Sequence, residues 1–219
     1  MEPAAKVRKY QPVDRAAVRE IACDTANAGE PVDRFFRDRE TVADVLTRYY
    51  TDCEPQSLWI AECEGQVVGY LTGCLDTRRC ERVTRRRVLP KALGGAVLRG
   101  ALWHADTWRL LAAFAGTVVL GGFPHPIDLA VYPAHFHINL REGFRGGGLG
   151  PQLVEAFRQQ VDRAGVRGIH VVTRGDNAAA RRFFERMGFH PLYEKPLVLP
   201  ALRRFKRTST AVYGWSKET

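Results

Sequence analysis

The chain has 219 residues, 45% of them apolar, and a formal net charge of +9. Its size fits one domain carrying an insertion, and its composition excludes a disordered chain. Five cysteines at irregular spacings, with no C-x-x-C pair, support neither a zinc knuckle nor a disulfide framework, so reduced thiols in a cytoplasmic protein are expected.

The opening MEPAAKVRKYQPVDR lacks an apolar core and a small-residue cleavage site, and no signal peptide is predicted. A first strand is predicted over Lys6 to Gln11, ended by Pro12, with Asp14 placed to cap the helix that follows. Ala16, Ala17, Val18, Ile21 and Ala22 give that helix its apolar spacing, and Asn27-Ala28-Gly29 stops it. A second helix is predicted from near Asp33 to Tyr49. Ser57 to Cys63 and Gln66 to Leu75 read as two strands around Glu64-Gly65, a hairpin signal because glycine takes the positive φ of a tight turn.

Residues 77–122 mix basic turns with helix-like spacing of Leu98, Leu102, Trp103, Trp108 and Leu111. The uncharged run Leu110 to Phe123 falls short of the roughly 20 residues that span a bilayer, so a buried helix is expected there. Phe123-Pro124-His125-Pro126 reads as a turn. Ala134 to Leu140 alternates as a strand, with Phe136, Ile138 and Leu140 on one face and His135, His137 and Asn139 on the other. Pro151 suits the first turn of a helix whose stripe is Leu153, Val154, Phe157, Val161 and Ala164, ended by Gly165. Gly168 to Thr173 is a short buried strand, Asn177 to Met187 a helix ended by Gly188, and strands follow at Phe189 to Glu194 and Thr210 to Trp215.

The chemistry concentrates in the turn Arg145-Gly146-Gly147-Gly148-Leu149-Gly150 between a strand and a helix. A helix start presents unpaired N–H groups and the positive end of the helix dipole. Glycines let the backbone approach an anion closely, and Arg145 can add a charge-assisted contact, so the segment reads as a pyrophosphate cradle. It lacks the Gly-Lys-Ser/Thr ending of a P-loop and the downstream acid of a dinucleotide fingerprint.

Arg145, Gly148 and Gly150 match Arg/Gln-x-x-Gly-x-Gly/Ala, and Asn177 to Phe189 matches Asn-x-x-Ala-x-x-(aromatic)-(aromatic)-x-x-x-Gly-Phe. Through these two signatures in register the chain resembles the Gcn5-related N-acetyltransferase (GNAT) superfamily. Tyr132 to Leu140 further resembles acetyltransferase-like domains related to those of some O-GlcNAc hydrolases. The resemblance implies one α/β domain over 1–219. Its mixed sheet would have six or seven strands flanked by helices, with splayed fourth and fifth strands and a helical insertion after the third. It implies acetyl-CoA as cofactor. Backbone groups of Asn139, Leu140 and Arg141 would hold the pantetheine arm, and the Leu140 N–H would polarise the thioester carbonyl. The turn from Arg145 through Gly146, Gly147, Gly148, Leu149 and Gly150 would take the phosphates. Asn177 would contact the cofactor from the other side, with Phe183 or Phe184 packed against it.

Many members of that family carry a tyrosine acid where this chain has Phe184, which has no proton to give. Either another group serves, CoA leaves as the thiolate, or the protein binds acyl-CoA without turnover. His137 is the first candidate for the acid–base role, followed by His135 and Tyr193, with Tyr132 and Glu142 as further possibilities. No metal site is expected. The expected activity is transfer of an acetyl group to an amine by direct attack on the thioester, the alternative being a non-catalytic acyl-CoA-binding module. The expected partners are acetyl-CoA and an amine acceptor, without a membrane. The basic runs Arg78 to Arg87, Arg181-Arg182 and Arg203 to Arg207 come with no nucleic-acid-binding signature, and a homodimer is compatible with this reading.

Overall fold

A computed structural model of the chain describes residues 5–123, 126–200 and 205–217, with Arg34 described by its backbone only. The strands are β1 (Ala5–Lys9), β2 (Leu58–Cys63), β3 (Gln66–Cys74), β4 (Ala134–Leu140), β5 (Gly168–Arg174), β6 (His190–Pro200) and β7 (Phe205–Ser216). They form one sheet in the order β1-β2-β3-β4-β5-β7-β6. Neighbours are antiparallel throughout except β4 and β5, which are parallel. The helices are α1 (Arg15–Thr25), α2 (Arg39–Asp52), α3 (Thr77–Val83), α4 (Leu89–Leu98), α5 (Ala105–Val119), α6 (Leu149–Arg163) and α7 (Ala178–Arg186). The mixed α/β architecture and the helical segment between β3 and β4 agree with the sequence expectation.

The period-2 alternation of β4 divides the core. Phe136 packs on one face with Leu153, Val154, Phe157 and Val161 of α6 and with Phe184 and Phe189. On the other face Val18, Ile21 and Ala22 of α1 and Tyr49 and Tyr50 of α2 pack against Ile60, Tyr70 and Cys74. Glu64 (φ 50°) and Gly65 (φ 79°) make the turn of the β2–β3 hairpin. Gly73 has a packing role, since a Cβ there would lie 2.2 Å from the fully buried Phe157 ring. Gly73→Ala is therefore expected to destabilise the fold by about 1–3 kcal/mol in urea unfolding. An unchanged midpoint would mean that the α6–sheet contact is looser than this geometry.

Several boundaries differ from the sequence reading, each for a local reason. Asp14 does not cap α1 with its side chain; it is buried, accepting from the Gln11 N–H at 2.8 Å and paired with Arg8 at 2.7 Å. The second helix begins only at Arg39, because Asp38 caps it by accepting from the Thr41 N–H at 3.2 Å. The run Leu110 to Phe123 is not a buried helix: α5 buries Ala113 and Thr117 and leaves Leu111, Phe114, Val118 and Val119 exposed. β6 and β7 are longer than predicted because they pair with each other from His190 to Pro200. No cysteine forms a disulfide. Among the described residues no helix is long and apolar enough to cross a membrane. The Pro124-His125 part of the predicted turn and Arg203-Arg204 of the last basic run lie outside the described residues.

Candidate functional site

The site forms where β4 and β5 part. Their parallel pairing is confined to Ala134–Ile169 and His135–His170. Beyond it β4 stays with β3 as far as Leu140, and β5 stays with β7 as far as Arg174. The Arg141 N–H donates to Val68 at 2.9 Å. Antiparallel alternation then turns the backbone groups of His137 and Asn139 toward β3, and those of Ile138 and Leu140 toward the gap. This corrects the expectation for Asn139 and Arg141, whose backbones serve the β3 side. The Asn139 side chain donates to the Tyr70 hydroxyl at 2.8 Å, and Arg141 pairs with Glu20 at 3.1 Å.

The glycine-rich turn sits at the wide end of the gap. Gly146 (φ 86°) and Gly148 (φ 82°) take left-handed backbone that other residues adopt at a cost, and Gly148 occupies the N-cap of α6. Added Cβ atoms at Gly146 and Gly147 would meet nothing within 4 Å, so the turn faces open space. Among the described residues the N–H groups of Gly146, Gly147, Gly148, Leu149 and Gly150 find no acceptor. Gly150 has a different reason for being glycine: a Cβ would lie 3.2 Å from the Phe183 ring and 3.8 Å from Leu140, so the helix start is held close to both.

The flanking residues divide. Arg145 does not aim into the turn; its Nε donates to the Leu140 carbonyl at 3.1 Å and its Nη2 to the Gly29 carbonyl at 3.3 Å. Asn177 caps α7 by accepting from the Ala180 N–H at 3.1 Å. Phe183 is half-buried beside Gly150, whereas Phe184 is buried among Phe136, Phe189 and Tyr213. Phe184 therefore offers the gap no surface, which corrects its assignment against a cofactor.

On the opposite face of β4 the two histidines have different surroundings. Thr77 donates to the Pro133 carbonyl at 2.8 Å, so its oxygen accepts from Nδ1 of His135 at 2.7 Å. Nε2 of His135 then accepts from the Tyr50 hydroxyl at 2.9 Å. With both nitrogens used, His135 is a structural imidazole, which corrects its place among the catalytic candidates. Cys74 and Cys80 lie beside it, their sulfurs and a ring nitrogen of His135 within 4.8 Å of one another, a grouping of distant residues that the sequence does not disclose. His137 has no hydrogen-bond partner among the described residues and its ring is exposed, 5.8 Å from that of His135. Desolvation by the protein packed around it, and then nearby His170, lower its pKa. It is a neutral imidazole with a free lone pair at neutral pH.

The remaining candidates lie apart. Tyr193 is on β6, the edge strand, with β7 and β5 between it and the gap, and burial pushes its hydroxyl up to about 12. Tyr132 packs over Gly214, where a Cβ would lie 2.7 Å from its ring, and pairs with His190 at 3.1 Å. Glu142 is exposed in the turn after β4.

Burial, reinforced by His137 and His170, holds His135 well below its ordinary pKa of 6.5. The unfolded chain takes up that proton near pH 6.5 and the folded chain does not, so the stabilisation is complete above this pH and lost as pH falls below it. Thermal melts should lose up to about 1.4 kcal/mol per pH unit between roughly pH 6.5 and 5 through this residue. His135→Gln should flatten that slope; an equal slope in the variant would place the effect elsewhere.

The residues 17–189 match the family model described as the acetyltransferase (GNAT) family. Among solved structures, a protein named SsHAT is 26% identical, with 99% of this chain and 100% of that chain covered and a TM-score of 0.72. The polyamine N-acetyltransferase of Drosophila melanogaster is 15% identical over 97% of this chain and 100% of its own, with a TM-score of 0.58. A protein from Salmonella typhimurium, named as a candidate acetyltransferase and solved with its cofactor acetyl-CoA, is 14% identical over 98% and 95%, with a TM-score of 0.58. With the family model spanning most of the chain and this splayed sheet behind it, the chain belongs to the acetyltransferase (GNAT) family and is an acyltransferase.

Proposed function

We propose that the protein transfers an acetyl group from acetyl-CoA to an amine, with the acyl donor held along the β4 edge of the gap. The observation that carries this reading is two sets of backbone donors at the gap: the inward-turned groups of Ile138 and Leu140, and the N–H groups of Gly146 to Gly150, which find no acceptor among the described residues. Five consecutive donors at a helix start suit a pyrophosphate. Leu140 then supplies the N–H that polarises the thioester carbonyl, where a preorganised donor stabilises the oxyanion formed on attack. Phe183 packs beside the bound donor, and Asn177 offers the amide hydrogens its cap leaves unused. Arg145 leaves the Leu140 carbonyl to meet a phosphate.

His137 acts as the base. The acceptor nitrogen attacks the carbonyl carbon, the new C–N bond replaces the C–S bond, and His137 takes the proton that the nitrogen loses. CoA departs as the thiolate, which a thiol pKa near 8.5 permits without an acid from the protein. This fits the burial of Phe184 at the position where the resemblance places a tyrosine.

The first test is binding. CoA at about 100 times its dissociation constant should stabilise the fold by roughly 2.7 kcal/mol, raising Tm by about 5–10 °C. No shift at millimolar CoA would remove this reading.

A further inference from the structure

The side of α5 that faces away from the sheet is left largely exposed by the described residues. One side of the helix is packed: a Cβ at Gly116 would lie 3.5 Å from the Val198 side chain, and Thr117 accepts from the Val198 N–H at 2.9 Å. Its opposite side is apolar as well, with Trp108, Leu111, Ala112, Ala115, Val118 and Val119 all exposed. A helix with apolar residues on both of these sides is ordinarily covered on both.

We infer that this face of α5 is buried against α5 of a second copy of the chain, across a two-fold axis. Trp108 (58% exposed), Leu111 (49%), Phe114 (59%), Val118 (46%) and Val119 (84%), with Trp103 (90%) in the turn just before the helix, carry most of the surface. At about 150–250 Å² for a large side chain, those exposures leave on the order of 700 Å² of apolar area. A monomer's largest apolar patch is typically about 300–600 Å², whereas a stable dimer buries about 800 Å² per partner. The positions recur at i, i+3, i+4, i+7, i+10 and i+11, a seam matched to another helix, and Ala112 and Ala115 let the two backbones approach. Self-complementarity follows from the two-fold axis.

The face is also fixed in place. The Arg37 N–H donates to Asp106 at 2.8 Å at the start of α5, and Phe114 stacks on Phe123 at 5.5 Å. Charge favours a second copy over a lipid surface. Arg109 is the one cation on α5, and the exposed cations Arg82, Arg85, Arg86 and Arg87 lie on the segment before α4. An interfacial helix needs a basic polar face turned to water, whereas here the side opposite the seam is packed on β6.

Sedimentation velocity of the full chain tests the assignment. The unaltered protein should sediment at twice the mass of one chain across the micromolar range. Leu111→Glu and Ala115→Arg, with unchanged circular dichroism, should weaken association by at least about 100-fold, because each buries an unpaired charge. Arg86→Glu should remain a dimer. Should the charged variants fail to fold, Ala112→Cys should form a disulfide-linked dimer on mild oxidation. A monomer at all these concentrations, a dimer that survives both charged variants, or a monomer that co-sediments with phosphatidylcholine–phosphatidylserine vesicles would overturn it.

Discussion

Gly148→Asp should weaken CoA binding by on the order of 100-fold while leaving the fold intact. Aspartate is a favoured N-cap, and its carboxylate would accept from the same N–H groups that await an anion at the start of α6. The left-handed backbone at Gly148 costs a substituted residue about 1 kcal/mol, small against the stability of a domain of this size. The Coulomb cost of setting that carboxylate about 5 Å from a phosphate is roughly 3 kcal/mol at an effective dielectric near 20. An affinity loss on the order of 100-fold follows. Gly148→Ala separates the two effects, since it strains the backbone without adding charge and should lose only a few-fold. Calorimetric titration with CoA reads both variants. Equal losses in the two would make the turn a packing element with no specific role toward an anion.

His137→Gln should lower kcat by about 100- to 10,000-fold with little change in the KM for acetyl-CoA. The side chain is on the face of β4 away from α6 and touches none of the glycine turn, so donor binding should not register its loss. A lowered imidazole pKa also sets the sign of the pH response. The base works only when neutral, so activity should fall as pH drops through a value below the ordinary 6.5. That acid limb should vanish in the variant, measured with an acceptor amine that stays neutral over the range. If His137→Gln keeps its kcat, the proton leaves the amine by another route and the histidine serves only to shape the cleft.

The strands and the turn were legible because their signals are local. The alternation of Ala134 to Leu140 and the Glu64-Gly65 hairpin need only neighbouring residues, and the Gly146 to Gly150 donors follow from glycine content before a helix. Residue roles that depend on distant partners were not legible. His135 and His137 look equivalent two positions apart, and only Thr77 and Tyr50, brought in from other elements, show that one is spent and the other free. Asn139 lost its backbone assignment because the β3 register decides which way its groups turn. Tyr193 was misplaced because strand order, not chain order, sets its distance from the gap. α5 read as buried from its apolar content, although the sheet supplies cover for only one of its sides.

Acetyl transfer at this site needs the backbone donors and the His137 imidazole to act together, and release of free thiol from acetyl-CoA across a panel of primary amines tests that directly. The expected result is amine-dependent release, one thiol for each acetylated amine, lost in Gly148→Asp through binding and in His137→Gln through turnover. Saturable acetyl-CoA binding with no thiol release on any amine of a broad panel would contradict it, and would leave a site that holds the acyl donor without using it.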